Sequence, residues 1–251
     1  SREAAFFISL DTNGSIRWSQ DAYISGSNDA NWQVSTQASV NNFGFTRMSV
    51  NETTGNLTVV GQISTNSASY RTVTFGNVTM EIPSSNYNYY RPFVVRINST
   101  GNFSWATTVT PASSSHRTLQ GMGVHDDGSV EVLMRANGDT QLGDHTVGND
   151  TYHYIIGKIN ETGAWTGAST ITSESPAGFH GSYDSAMMQA TPSGDLIMAI
   201  WSVNDLSSLN VTGSVSWFNE TCDDSLVVMS LSGAEWSTEA SREFCLTSNS
   251  G

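Results

Sequence analysis

Apolar residues along this chain fall in short runs that alternate with polar residues or stand continuous, each bounded by Gly, Asn, Asp or Ser. Helical spacing is almost absent. A period of two with turn residues at each end is the signature of strands joined by tight turns, so the pattern predicts an all-β chain.

Two kinds of hairpin alternate. The first reads Phe6-Phe7-Ile8-Ser9-Leu10-Asp11-Thr12-Asn13-Gly14-Ser15-Ile16-Arg17-Trp18 and returns from Phe93 through Ile97-Asn98-Ser99-Thr100-Gly101 to Trp105. Shorter versions run from Tyr154 through Asn160 and Gly163 to Trp165, and from Leu226 through Gly233 to Trp236. The Asp or Asn side chain can accept hydrogen bonds from the turn backbone, Gly supplies positive φ, and the closing Trp offers a large flat surface to a neighbour. The second kind turns at Gly55 between Met48-Ser49-Val50 and Leu57–Val60, at Gly128 between Met122–Val124 and Val130–Met134, and at Gly194 between Met188–Ala190 and Leu196–Ile200. A fourth copy is expected to start at Phe244-Cys245-Leu246 and to stop at Gly251.

Counted between turn glycines Gly14, Gly101, Gly163 and Gly233, the repeats contain four strands plus an insertion of variable length. Four-stranded units at this period predict a propeller or a stacked β array. The expected units are residues 1–45 together with 237–251, then 46–110, 118–170 and 185–236, in one domain over 1–251. In that arrangement Phe244–Leu246 pairs with Ala4–Leu10 and closes a ring of four blades. The rival arrangement leaves those edges open to strand addition from another subunit.

The run Phe93-Val94-Val95-Arg96-Ile97-Asn98-Ser99-Thr100-Gly101-Asn102-Phe103-Ser104-Trp105 resembles the repeats of secreted prokaryotic β-propeller proteins, whose units end in an apolar strand, an Asp/Asn-x-x-Gly turn and a Trp. The resemblance covers about two-thirds of the chain. It implies a propeller-like fold and an extracellular setting, and no particular reaction.

Composition sharpens the setting. Ten Lys and Arg against 23 Asp and Glu leave a net charge of −13, with Lys158 the only lysine, so a phosphate-binding surface has little to build with and nucleic acid is not an expected partner. No apolar run approaches the ~20 residues of a membrane helix, so this domain is not expected to insert into a membrane. The sequence opens at Ser1 with neither a basic nor an apolar leader pattern, as a mature form or a fragment would. Acceptor sequons begin at Asn13, Asn51, Asn56, Asn77, Asn98, Asn102, Asn149, Asn160, Asn210 and Asn219, about twice the number that composition alone would give. Sites in turns, such as Asn51, Asn98, Asn149, Asn160 and Asn219, are expected to be glycosylated first because an acceptor must be exposed. The only two cysteines, Cys222 and Cys245, are expected to form one disulfide.

Catalytic patterns are sparse. There is no Gly-x-Ser-x-Gly elbow, no phosphate loop and no HExxH. His145 and His153 flank Gly148-Asn149-Asp150 and could share a metal if strands set them side by side. Carboxylates cluster at Asp126-Asp127 and Asp223-Asp224, and Asp139 and Asp144 bracket a loop. Asp11-Thr12-Asn13-Gly14 resembles the opening of a calcium loop without its closing glutamate, so no cofactor is expected beyond a weak surface calcium ion. Asn86-Tyr87-Asn88-Tyr89-Tyr90 is the candidate ligand-contact loop, since Tyr87, Tyr89 and Tyr90 offer flat apolar area beside amides, as protein- or glycan-binding loops do.

The expectation is therefore a non-enzymatic, secreted or cell-surface glycoprotein module for adhesion or surface assembly, with itself, other surface proteins or glycans as partners. An extracellular filament or lattice subunit joined by strand exchange is the alternative, and a glycan-processing enzyme the third reading.

Overall fold

The computed structural model describes residues 4–25, 30–33, 47–65, 71–82, 89–111, 117–148, 152–173, 179, 185–202, 208–211, 214–217, 224–232 and 236–245. Within these residues the protein contains strands and turns and no helix. The strands form several small antiparallel sheets, and the sheets repeat one plan.

Each full unit is a four-stranded meander with a short hairpin inserted between its second and third strands. Unit 2 comprises β4 (Arg47–Val50), β5 (Leu57–Thr65), the inserted pair β6 (Arg71–Phe75) and β7 (Val78–Ile82), then β8 (Tyr89–Ile97) and β9 (Phe103–Thr108), which continues past Val109 into β10 (Thr110–Pro111). Unit 3 comprises β11 (Arg117–Val124), β12 (Val130–Asn137), the inserted β13 (Thr140–Leu142) and β14 (His145–Val147), then β15 (Tyr152–Ile159) and β16 (Trp165–Thr172). Unit 4 comprises β17 (Ser185–Ala190), β18 (Leu196–Ser202), the inserted β19 (Ser208–Val211) and β20 (Ser214–Trp217), then β21 (Ser225–Leu231) and β22 (Thr238–Cys245). Among the described residues unit 1 comprises third and fourth strands, β1 (Ala4–Leu10) and β2 (Ile16–Ser25). A short β3 (Ala30–Gln33) shares the edge of β5 with β4.

The inserted hairpins bind backward. β6 pairs with β2, β13 with β10 and β19 with β16, so each hairpin extends the outermost strand of the unit before it. Each also feeds apolar side chains into the space between units: Val73, Phe75 and Met80 from the first, Leu142 from the second, Leu209 and Val211 from the third.

Three cores result, each lying between successive units, and the period of two along a strand decides which core a residue joins. On β8, Phe93, Val95 and Ile97 face unit 1 while Val94 faces unit 3. On β15, Ile155 and Ile159 face unit 2 while Tyr154 and Ile156 face unit 4. The first strands of units 3 and 4 come closest where side chains are smallest: a Cβ on Gly121 would lie 2.6 Å from the Met188 backbone nitrogen.

All seven complete hairpins expected from the sequence are formed. In the turns that open at Asp11, Asn98, His125, Asn160 and Thr191, the first residue's N–H donates to the fifth residue's carbonyl and the fourth residue's N–H donates back to the first residue's carbonyl. In the turns opening at Asp11, Asn98 and Asn160, the side-chain Oδ1 also accepts two backbone N–H bonds at 2.8–3.0 Å. Every third-to-fourth-strand hairpin then carries the same bulge, shown by register pairs such as Ile97 with Phe103 and Arg96 with Trp105. The extra residue turns the strand over, so Phe103 enters the core behind it and Trp105 the core ahead.

Three expectations change. Phe244 and Cys245 do not open a fourth second-type hairpin: they end β22 and pair with Leu226 and Ser225. The strand from Thr238 therefore belongs with unit 4, and among the described residues β1 pairs with β2 and not with Phe244. The cause is the apolar strand β21, which offers a contiguous partner one turn away, whereas pairing with β1 requires closure over the whole chain. No closed propeller ring or barrel is formed by the described residues. Thirdly, Trp165 does not match Trp18 and Trp105, because its register partner is Ile159, the place that Phe103 holds opposite Ile97. Gly233 lies outside the described residues, and the last turn closes on Trp236 at φ 54°.

Candidate assembly faces

Large apolar residues stand exposed at both ends of the array, as Met48 and Val50 do on β4 of unit 2. Phe6, Ile8 and Leu10 hold on β1 the register positions that Phe93, Val95 and Ile97 hold on β8, since Leu10 pairs with Ile16 as Ile97 pairs with Phe103. Their exposures are 72%, 58% and 56%, against 3%, 0% and 0% for the three on β8. Ile16 across the turn is exposed as well. Cross-strand pairing places Asp21 opposite Phe6 and Ser19 opposite Ile8, so this face is three parts apolar with one carboxylate at its margin.

At the other end, the alternate residues of unit 4 look outward. Val227, Met229 and Leu231 are buried against unit 3, which leaves Leu226 and Val228 on the far side of β21. Their register partners on that face are Trp201 and Ala199 on β18, Phe244 and Arg242 on β22, and Met187 beyond Ala199 on β17. Met187, Ile197, Trp201 and Phe244 are exposed, and the Arg242 guanidinium lies 5.1 Å from the centroid of the Phe244 ring. Exposed apolar sets of this kind make the two ends candidate interaction surfaces.

Between the units, buried polar groups lock the turn end of the array. Glu131 on β12 is fully buried, with Oε2 against His125 Nε2, Oε1 at 3.5 Å from Lys158 Nζ, and Oε1 accepting from Trp236 Nε1 at 3.3 Å. One carboxylate thus joins the first turn and the third strand of unit 3 to unit 4. Asn51 performs the same service between units 2 and 3: Nδ2 donates to the carbonyls of His125 at 2.9 Å and Asp126 at 3.2 Å. Arg96 lies over Trp105, 5.2 Å from the ring centroid, and donates from Nη2 to Thr58 Oγ1, while Trp105 Nε1 donates to the Glu161 carbonyl at 2.8 Å. Burial lowers the Arg96 pKa, and the charges of Glu161 and Asp127 oppose that shift. Asp127 lies below the usual carboxylate range, chiefly because its side chain accepts from the Ser129 hydroxyl and then from the Ser129 N–H.

The residues singled out by the sequence fall into several groups. Asn51 is a turn residue as expected, but it is buried with its Nδ2 engaged, so it does not offer an exposed acceptor. Asn13, Asn77 and Asn102 are exposed, and Asn56, Asn98, Asn160 and Asn210 are partly so. Asn149 and Asn219 lie outside the described residues, as do Tyr87, Cys222 and Asp223. Tyr89 and Tyr90 open β8 opposite Thr65 and Ser64, and their side chains lie outside what is described. No described cysteine carries a free thiol. His145 and His153 are not set side by side: β14 pairs with β13, while His153 on β15 pairs with Ala136 and is buried. Among the described residues no three His, Cys, Asp or Glu groups converge as a metal site, and no helix is long and apolar enough to cross a membrane.

Sequence reasoning missed the terminal faces, which look like any other alternating strand until their partners are known. It also missed an open groove of about 350 Å³ where β7, β9 and β13 meet, lined by Thr79, Glu81, Thr108, Gln141 and Trp165. Two of its walls come from inserted hairpins, which the sequence shows only as insertions of variable length. No protein family and no curated protein matches this chain.

Proposed function

We propose that the chain is a non-enzymatic, secreted or cell-surface glycoprotein module of β-propeller type that works in adhesion or surface assembly. The observation that carries this reading is the pair of uncovered apolar faces, where a self-contained repeat domain would present polar caps. The backward-binding hairpins fill the wide side between units while first strands approach closely at Gly121 and Gly123, a wedge suited to blades about an axis. The ten sequons and the Cys222–Cys245 pair suit the oxidising, glycosylating route to the cell exterior. The alternative of a filament subunit joined by strand exchange has one observation in its favour, the edge of β1 that pairs with no strand among the described residues.

The test is localisation in the native cell. Antibody against the folded domain is expected to label intact cells as strongly as permeabilised ones, and cross-linking is expected to capture the chain in larger surface complexes. Label confined to permeabilised cells would overturn the reading.

A further inference from the structure

We infer that the uncovered face of unit 1 is the docking site for the uncovered face of unit 4 on a second copy of this chain, a head-to-tail stacking that deepens the surface-assembly reading and rests on it. Three times within the chain, the forward face of one unit packs on the backward face of the next, and each time the backward face presents third-strand residues at the same register: Phe93, Val95 and Ile97, then Ile155 and Ile159, then Val227, Met229 and Leu231. Phe6, Ile8 and Leu10 are the fourth such backward face. The forward faces contribute Phe7, then Val60 and Val94, then Leu133 and Ile156. Trp201, Leu226 and Val228 stand on the fourth forward face. Both surfaces are exposed in the same molecule, so neither covers the other within one chain.

Charge favours joining unlike ends. The unit 1 face carries the Asp21 carboxylate at its margin, and the unit 4 face carries the Arg242 guanidinium. Two unit 1 faces would bring carboxylates together and two unit 4 faces would bring guanidinium groups together, whereas head-to-tail contact places opposite signs at one interface. An interface of unlike patches does not end at two copies; it propagates until a rotation closes it or it runs on as a fibre.

The experiment uses the full chain and two double variants, Phe6→Glu/Ile8→Glu and Trp201→Glu/Phe244→Glu, followed by sedimentation velocity between roughly 1 µM and 1 mM. All four positions are exposed, so both variants are expected to unfold cooperatively near the parent's midpoint; Met187→Glu/Ile197→Glu replaces the second variant if it does not. The parent is expected to form species that grow with concentration, and each variant alone to stay monomeric. Their equimolar mixture is expected to give a 1:1 dimer and nothing larger, because one intact junction remains. A parent that is monomeric throughout overturns the inference, as does a mixture that stays monomeric. One variant that still dimerises alone overturns it too, by showing like faces meeting. A chain found on the cell surface that is monomeric here would sink the stacking and leave the surface reading standing.

Discussion

Trp236 and Gly167 stand in exchanged places. At the junction of units 1 and 2 a tryptophan on a fourth strand, Trp18, lies over the turn glycine of the next unit, Gly101; at the junction of units 2 and 3, Trp105 lies over Gly163 in the same manner. At the junction of units 3 and 4 the fourth-strand position is Gly167 and the turn position with positive φ is Trp236, whose ring lies 3.2 Å from where a Gly167 Cβ would be. The indole now reaches backward instead of forward. One large side chain and one absent side chain are needed at each junction, and either unit can supply either.

The junctions should therefore be intolerant of a methyl group on the small side. Gly163→Ala places a Cβ 2.7 Å from a Trp105 ring carbon on a residue at φ +90°. The expected loss is roughly 2–4 kcal/mol, from backbone strain together with overpacking. Urea titration of Gly163→Ala, Trp105→Ala and the double variant should show strong non-additivity, because the two changes act on one contact. Additive losses would mean that indole and turn do not share an energetic contact.

Glu131 is expected to be the most costly carboxylate to remove. Glu131→Ala leaves Lys158, His125 and the Trp236 N–H without their shared acceptor, at a cost of about 3–5 kcal/mol. Glu131→Gln should lie between parent and Glu131→Ala, since an amide oxygen still accepts. Equilibrium denaturation with matched slopes checks both, and a Glu131→Ala protein as stable as the parent would remove the lock from the account.

Asn51→Ala should cost about 1–3 kcal/mol, because it removes the Nδ2 that donates to the His125 and Asp126 carbonyls and the Oδ1 that accepts the Thr54 N–H. Peptide mapping of protein from its native source is expected to find glycan at exposed sequons such as Asn13, Asn77 and Asn102 and none at Asn51. Glycan on Asn51 would contradict the buried side-chain geometry.

The pH dependence contributed by Asp127 has a definite sign. Its folded pKa is depressed, so its stabilisation is present above the ordinary carboxylate pKa and is lost as pH falls through the lowered value. Asp127→Asn should flatten that part of the acid limb and change stability little below it. Carboxyl-carbon NMR titration of the folded protein should place Asp127 below an ordinary aspartate, and a normal midpoint would refute the Ser129 hydrogen bonds as its cause.

Intact mass without reductant checks the cysteine pair. The Cys222–Cys245 bond predicts no alkylatable thiol, and two modified cysteines would dismiss it.

The hairpins were legible because each carries its own punctuation: Asp11 and Gly14, Asn98 and Gly101, and Asn160 and Gly163 direct the chain locally, and the bulge follows from the turn. The inserted hairpins carried a signal that went unread. Gly76-Asn77 and Gly143-Asp144, each with positive φ at the glycine, are two-residue turns between alternating strands. The pairing of those hairpins with the preceding unit was not legible, since β2, β10 and β16 offer little beyond backbone hydrogen bonds to mark them as partners. Ring closure failed as an inference for the same reason: Phe244 has the composition of a first strand, but Leu226 is nearer along the chain.

The backward-reaching hairpins have a consequence for how such a chain can lengthen during evolution. A stretch from β4 to β10 carries the hairpin that fastens it to its predecessor and an outer strand ready for its successor. Copied in tandem by a single gene duplication, it would enter the row with both joints already cut to fit, and the flanking repeats would need no new contacts. Loss of one repeat would heal equally well. Lineages are then free to differ in the number of units they string together, while the carpentry of every joint stays the same.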